Sequence, residues 1–113
     1  MIEKIVLDYL NRVLDIPAYM EEPSSPTSKY IIIEKISSAE NNLISEAIIS
    51  IQSYGKSLYE AASLNVQVKS AMRDIITLAD ICRCKLSSDY NFTDTNTKRY
   101  RYQALFNIVF YDE

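Results

Sequence analysis

The 113-residue chain predicts one α+β domain, with two main helices packed on one face of an antiparallel or mixed four-stranded sheet. Two patterns lead to this fold class. Apolar residues recur at helical spacing in two segments, and β-rich segments flank the second helix on both sides. Because pairs of strands surround a central helix, we expect the order helix, strand, strand, helix, strand, strand in a single domain over residues 1–113.

The N-terminal part of the chain predicts a helix, a loop and a strand. Residues 2–14 carry apolar side chains at helical spacing, and Pro17 ends that helix. Residues 21–28 form a polar loop with two prolines, after which residues 30–36 are rich in strand-forming side chains. Residues 39–42 predict the turn of a hairpin that joins this strand to the next.

The middle of the chain predicts the second hairpin strand and the clearest helix. Residues 44–54 form the strand. Ser57 and Glu60 form a capping-box pattern, from which an apolar stripe continues for about five turns to Ile76. Asn65 falls inside that stripe, so its side chain needs a hydrogen-bond partner or a place at the helix edge. One face of the strand holds Ala47, Ile49 and Ile51, and the other holds Ile48, Ser50, Gln52 and Tyr54.

The last part of the chain predicts a second pair of strands. Residues 81–87 alternate apolar and basic side chains, which is typical of a half-buried strand. Residues 87–97 form a polar, acidic loop, and residues 98–111 form a long final strand. At about 3.3 Å per residue that strand reaches roughly 45 Å, so we expect it to bend or its first half to project from the domain.

Composition argues against several classes of function. A net charge of −3 does not suit a protein whose main task is to grip nucleic acid. With no histidine and one glycine, the chain lacks the commonest acid–base residue and any glycine-rich phosphate loop, so we expect no enzymatic activity. Cys82 and Cys84 predict two small buried side chains rather than a disulfide, and we expect no metal or cofactor.

The N-terminal segment predicts neither export nor insertion into a membrane. It lacks the basic start and the apolar block of a signal peptide, and no run of the chain is apolar enough to span a bilayer. We therefore expect a protein that stays in a cytoplasm and does not bind membranes.

Basic and aromatic side chains alternate over residues 98–103. On an exposed sheet this pattern would stack bases and neutralise phosphates, as in single-strand binders. The alternation, however, directs Arg99 and Arg101 to the face opposite the tyrosines. The other interpretations are a solvated strand face, or a contact of the arginines with Asp89 and Asp94 of a neighbouring subunit.

Two runs of the sequence carry a resemblance to a known family. In residues 51–72, a strand ending in IQSY leads into a helix that contains EAA and LN. In residues 82–109, a strand leads through an S-D-Y-N-F-T-D-T loop into a Y-R-Y-Q-A strand. With these features the chain resembles, over nearly its whole length, the tail terminator (tail completion, head–tail joining) proteins of long-tailed bacteriophages and prophages.

The resemblance implies a structural role in virion assembly. Proteins of this family form a homo-oligomeric ring, usually a hexamer, that caps the tail tube and docks it to the head connector. The implied partners are further copies of the chain, the major tail tube protein and the head-completion or connector protein, while DNA passes through the lumen without specific binding. The implied location is the tail–head junction of the virion, reached from the host bacterial cytoplasm during assembly.

A ring contact joins two different surfaces of neighbouring copies, and a basic strand that meets an acidic loop would satisfy that requirement. Exchange of both arginines for glutamate is then expected to break the ring while the monomer stays folded. The candidate interface residues are Asp89, Tyr90, Asn91, Asp94, Lys98, Arg99, Tyr100 and Arg101.

Two functions of other classes remain open. A small nucleic-acid-binding module that uses residues 98–103 predicts salt-sensitive binding to single strands. A dimeric α+β regulator with a small-molecule pocket predicts a stable dimer and stabilisation by its ligand.

Overall fold

The computed structural model describes residues 1–41 and 43–111, and it has the predicted α+β architecture with one additional strand. Residue 42 of the predicted turn and the last two residues lie outside the described part of the chain. In chain order the elements are α1 (Ile2–Val13), β1 (Ala18–Tyr19), β2 (Tyr30–Asn41), β3 (Ile44–Gly55), α2 (Leu58–Arg73), a 3₁₀ turn (Ile75–Thr77), β4 (Ile81–Asn91) and β5 (Tyr100–Tyr111).

The strands form one mixed sheet in the order β1-β2-β3-β5-β4. The four long strands pair antiparallel, and β1 pairs parallel with the start of β2. The prediction of four strands therefore missed β1. Two hydrogen bonds hold this strand to α1, since Asn11 Oδ1 accepts from the Ala18 amide at 2.9 Å and Asn11 Nδ2 donates to the Ala18 carbonyl at 3.2 Å.

Both helices cover the same face of the sheet, as predicted, and the core lies between the two layers. On β3 the predicted division of faces is confirmed, because Ala47, Ile49 and Ile51 are all buried in that core. The opposite face of the sheet is not covered by either helix and is called the helix-free face below. The main core side chains are Val6, Leu10, Ile31, Ile33, Ile49, Ile51, Leu64, Val68, Met72, Ile75 and Ile108.

The start of α2 follows its sequence pattern closely. The Glu60 amide donates to Ser57 Oγ at 3.1 Å, and the Lys56 amide donates to Glu60 Oε1 at 2.9 Å, which confirms the capping box. Gly55 precedes the cap at a close approach of β3 and α2, where a Cβ atom would lie 2.7 Å from the Ala61 backbone nitrogen. Only glycine fits that crossing without a shift of the backbone.

The end of α2 differs from the prediction. The helix ends at Arg73, and a short 3₁₀ turn carries the chain onward. This change of helical period buries Ile75 but leaves Ile76 exposed, so the predicted apolar stripe stops before Ile76. Asn65 is buried, and its amide donates to Asp89 on β4, which supplies the partner that its position required.

Three of the long strands also differ from their predicted extents. β2 continues to Asn41 and β4 to Asn91, because backbone pairing with their neighbours persists where the side chains become polar. The alternative that the first half of the last strand projects from the domain is wrong. β5 begins only at Tyr100 and is central in the sheet, paired with β3 along its whole length and with β4 on its other side.

The two cysteines are not both buried as predicted. Cys82 is exposed and Cys84 is half-buried, and both are free thiols. The register of β4 shifts between Ile81 and Arg83, so Cys82 is the additional residue of a bulge and leaves the alternating pattern. Burial raises the pKa of the Cys84 thiol to about 11.

Candidate interaction surface

The eight candidate residues lie together where β4 leads into β5. Asp89, Tyr90 and Asn91 end β4, whereas Asp94, Lys98 and Arg99 belong to the connection, and Tyr100 and Arg101 begin β5. An Asx-type turn shapes the connection, since the Asn96 amide donates to Asp94 Oδ1 at 3.0 Å. Backbone hydrogen bonding, first of all from Asn96, lowers the pKa of Asp94.

Asp89 lies on the helix-covered face and connects β4 to α2. Its Oδ2 accepts from Lys69 Nζ and from Asn65 Nδ2, each at 2.8 Å. The hydrogen bond from Lys69 is the main cause that lowers the pKa of Asp89. Within the single chain, Asp89 therefore already has a cationic partner and does not need an arginine from another copy.

Arg99 connects the start of β5 to the loop after β1. Its Nη1 donates to Glu22 Oε2 at 3.0 Å, and its Nη2 forms an ion pair with the other carboxylate oxygen of Glu22 and donates to the Tyr30 hydroxyl at 2.5 Å. Tyr30 in turn donates to Glu22 Oε1 at 2.5 Å. The guanidinium also lies 5.1 Å from the ring centroid of Tyr54.

Arg101 is held by three further contacts within the chain. Its Nε donates to the Phe92 carbonyl at 2.7 Å, and its Nη1 donates to the Tyr54 hydroxyl at 2.9 Å. The guanidinium lies 4.5 Å from the Phe92 ring centroid. Arg101 therefore braces the β4–β5 connection against the end of β3.

Two stacked tyrosines form the centre of this region. Tyr30 and Tyr54 are opposite each other on β2 and β3, with ring centroids 4.5 Å apart and an interplanar angle of 4°. Both are buried, at 5 % and 7 % exposure, and burial raises the pKa of Tyr30. We call Tyr30, Tyr54, Arg99 and Arg101, with Glu22, the arginine–tyrosine cluster.

The cluster corrects one sequence inference. The arginines do point away from the tyrosines of their own strand, but rings from β2 and β3 meet them on the helix-free face. Sequence reasoning missed this arrangement because it depends on the register between strands that are distant in the chain. The pattern that predicts it is the pairing of Tyr30 with Tyr54 in the hairpin, once its turn is placed.

A polar network beside the cluster was also missed. Gln103 Oε1 accepts from Ser50 Oγ and from Gln52 Nε2, each at 2.8 Å, and Gln103 Nε2 donates to the Tyr90 hydroxyl at 2.5 Å. Tyr54 joins this network by donating to Gln52 Oε1 at 3.1 Å. The network satisfies polar groups that adjacent side chains bury, and it connects β3, β5 and β4 across the helix-free face.

The sheet has two different open edges among the described residues. On one side, β1 covers β2 only at Ile31 and Ile32, which leaves residues 33–41 without an outer neighbour. On the other side, β4 is the last strand. Both edges carry an exposed apolar side chain, Ile36 at 54 % and Leu86 at 39 % exposure. Below, residues 33–41 are the β2 edge and residues 81–91 are the β4 edge.

Other kinds of site find little support in the part of the chain that the structure describes. Residues 1–41 and 43–111 contain no group of three metal-ligating side chains, and neither helix among them is long and apolar enough to cross a membrane. An open groove of about 720 Å³ runs between α1 and α2, where Tyr9, Val13 and Val66 are among its lining residues. That groove is where a small-molecule ligand of the regulator hypothesis would bind.

A scan against protein-family models finds no match to this chain, and a search of curated proteins finds no similar sequence. The tail terminator resemblance therefore enters the functional conclusion as a proposal.

Proposed function

We propose that this chain is a non-enzymatic structural protein that assembles into a homo-oligomeric ring. From the sequence resemblance, the ring caps the tail tube of a long-tailed phage or prophage and joins it to the head connector. Its partners are further copies of itself, the major tail tube protein and the connector protein. DNA crosses the lumen without specific binding, and the ring is built in the host cytoplasm before it becomes part of the virion.

One structural observation supports assembly into a ring. A cyclic assembly needs two different surfaces that meet head to tail, whereas a two-fold dimer needs only one self-complementary surface. The sheet ends in two unlike open edges on opposite sides, the β2 edge and the β4 edge. A chain with this arrangement is able to contact one neighbour on each side.

The nucleic-acid alternative is weakened by the arginine–tyrosine cluster. Base stacking needs exposed rings beside the cations, but Tyr100 and Tyr102 of β5 are half-buried and alternate with Arg101 onto the opposite face of the sheet. Phosphate binding needs free cations, but Arg99 and Arg101 already donate to acceptors within the chain.

Because of these contacts within the chain, charge reversal at the two arginines does not test association alone. Replacement of Arg99 and Arg101 by glutamate would place a new carboxylate at position 99 beside Glu22 and remove the donors to two tyrosine hydroxyls. We therefore expect loss of stability in addition to any loss of association. Variants elsewhere are needed to test the ring.

The test is the native mass of the wild-type chain by light scattering, over concentrations from about micromolar to millimolar, where weak protein contacts become populated. We expect one closed species of more than two copies, near six from the resemblance. A chain that stays monomeric throughout, or that stops at a dimer, would contradict the proposed ring.

A further inference from the structure

The two open edges carry opposite charge. The β2 edge exposes Glu34 and Glu40, and the β4 edge exposes Arg83 and Lys85. Among residues 1–41 and 43–111, none of these four side chains has an ion-pair partner within 4.0 Å. Lys35, the basic residue of the β2 edge, lies 3.9 Å from Glu3 of α1, so the outward charge of that edge is acidic.

The apolar residues of the two edges lie at the same height along the sheet. Strand pairing places Leu86 in one row with Phe106, Ile49 and Lys35, and Lys85 in the adjacent row with Asn107, Ile48 and Ser37. Ile36 is the additional residue of the β2 bulge, between those two rows. A neighbour related by rotation about an axis parallel to the strands would thus bring Leu86 opposite Ile36.

The same rows bring one pair of opposite charges, Glu34 and Lys85, near each other. Glu34 lies in the row next to that of Leu86, on the side away from the row of Lys85. Glu34 and Lys85 are therefore two rows, or about 7 Å, apart along the strand direction. Both side chains thus share the helix-free face, and a lysine side chain is long enough to reach a carboxylate across that diagonal offset. Arg83 and Glu40 lie in adjacent rows, so their side chains point to opposite faces of the sheet and are not a pair.

We propose that the β2 edge of one copy binds the β4 edge of the next copy, with Ile36 against Leu86 at the centre and Glu34 facing Lys85. This contact rests on the proposed ring and identifies the surfaces that form it. The partner at each edge is a second copy of this chain, because the two edges carry opposite charges and expose apolar side chains at the same level along the strands.

Side chains make this contact rather than a continuous backbone ladder. A bulge interrupts β2 between Lys35 and Ser37, and a second interrupts β4 between Leu86 and Ser88. Bulges and charges on edge strands oppose indiscriminate strand pairing. They therefore favour one partner of matching charge over uncontrolled growth of the sheet.

Cross-linking tests the contact directly. Cysteines replace Ile36 and Leu86 in a chain whose natural thiols are removed by Cys82→Ser and Cys84→Ser, and a short bismaleimide is added. Within one chain, β3 and β5 lie between β2 and β4, so β2 and β4 are three strand spacings, or about 14 Å, apart. A reaction between the two cysteines at short range thus reports a second copy.

The expected product is a ladder of covalent oligomers that ends at the copy number of the ring. A mixture of the two single-cysteine variants is expected to give dimers only, since each chain then offers one reactive edge. Asp15→Cys with Tyr59→Cys is the control, because both positions are exposed and lie on neither edge. If the Ile36→Cys, Leu86→Cys chain gives no more cross-linked oligomer than this control, the proposed contact is overturned.

Charge exchange provides an independent measurement. Glu34→Lys and Lys85→Glu are each expected to weaken association about fivefold per contact, the usual size of an interfacial ion pair at a rim. The double variant restores the pair and is expected to recover most of that loss. If the association constant of the double variant falls by the product of the two single losses, the contact is contradicted.

The two proposals fail in different ways. A wild-type chain that light scattering shows to be monomeric or dimeric contradicts the ring and this contact together. A wild-type ring without the cysteine ladder and without charge recovery overturns the contact alone, and the ring then uses other surfaces.

Discussion

Replacement of Tyr54 by alanine tests whether the arginine–tyrosine cluster stabilises the fold. Tyr54 is 7 % exposed, its ring stacks on Tyr30, and both cluster arginines lie over it. Its hydroxyl donates to Gln52 and accepts from Arg101. The side chain thereby connects three strands and the β4–β5 connection.

The magnitude follows from these contacts. Tyr54→Phe removes two hydrogen bonds whose partners are half-buried and remain partly accessible to water, so the free energy of unfolding is expected to fall by about 1 kcal/mol. Tyr54→Ala also removes a buried ring and its stack, for a total loss of about 3–4 kcal/mol. For a domain of this size, that loss is a large part of the total stability.

Urea unfolding followed by far-ultraviolet circular dichroism measures both losses. Tyr59→Ala is the matched control, because Tyr59 is 82 % exposed on α2 and its loss should change stability by less than about 0.5 kcal/mol. If Tyr54→Ala destabilises the chain no more than Tyr59→Ala does, the arginine–tyrosine cluster does not stabilise the fold.

Three further predictions concern single positions. Ser57→Ala removes the side chain that accepts from the Glu60 amide, and calorimetry should show a loss of about 1 kcal/mol. Leu43 has a φ of 71°, so Leu43→Gly should be more stable in urea than Leu43→Ala by about 1 kcal/mol, because only glycine adopts that backbone without strain. The folded pKa of Asp89 lies below its unfolded value, so its contribution is fully present above about pH 4 and is lost as pH falls through the depressed folded pKa. Urea unfolding of Asp89→Asn should therefore show a stability deficit near pH 7 that narrows below about pH 4, and a constant deficit would contradict the link to Lys69.

Local patterns predicted the larger elements because each of them depends on neighbouring residues. The capping box of α2 and the alternating faces of β3 are properties of short segments, and the structure confirms both. β1 was missed because a strand of two residues is defined by its partner rather than by its own composition. The bulges of β2 and β4 were missed for the same reason, since they appear only when two strands are set in register.

The candidate site could be predicted in position but not in its contacts. Residues 89–101 do gather at one end of the sheet, as their proximity in the chain requires. The partners of Arg99, however, come from Glu22 and Tyr30, about seventy residues away in the sequence. The opposite charges of Glu34 and Lys85 could not be related from the sequence either, because a sequence does not show which two strands form the opposite edges of a sheet.

Images of single particles of the concentrated wild-type chain show whether the chain assembles into a ring. We expect closed rings of one copy number with a central opening, in which the strands of neighbouring copies lie side by side around the axis. Particles that are only monomers or compact two-fold dimers, with no central opening at any concentration, would contradict the proposed ring.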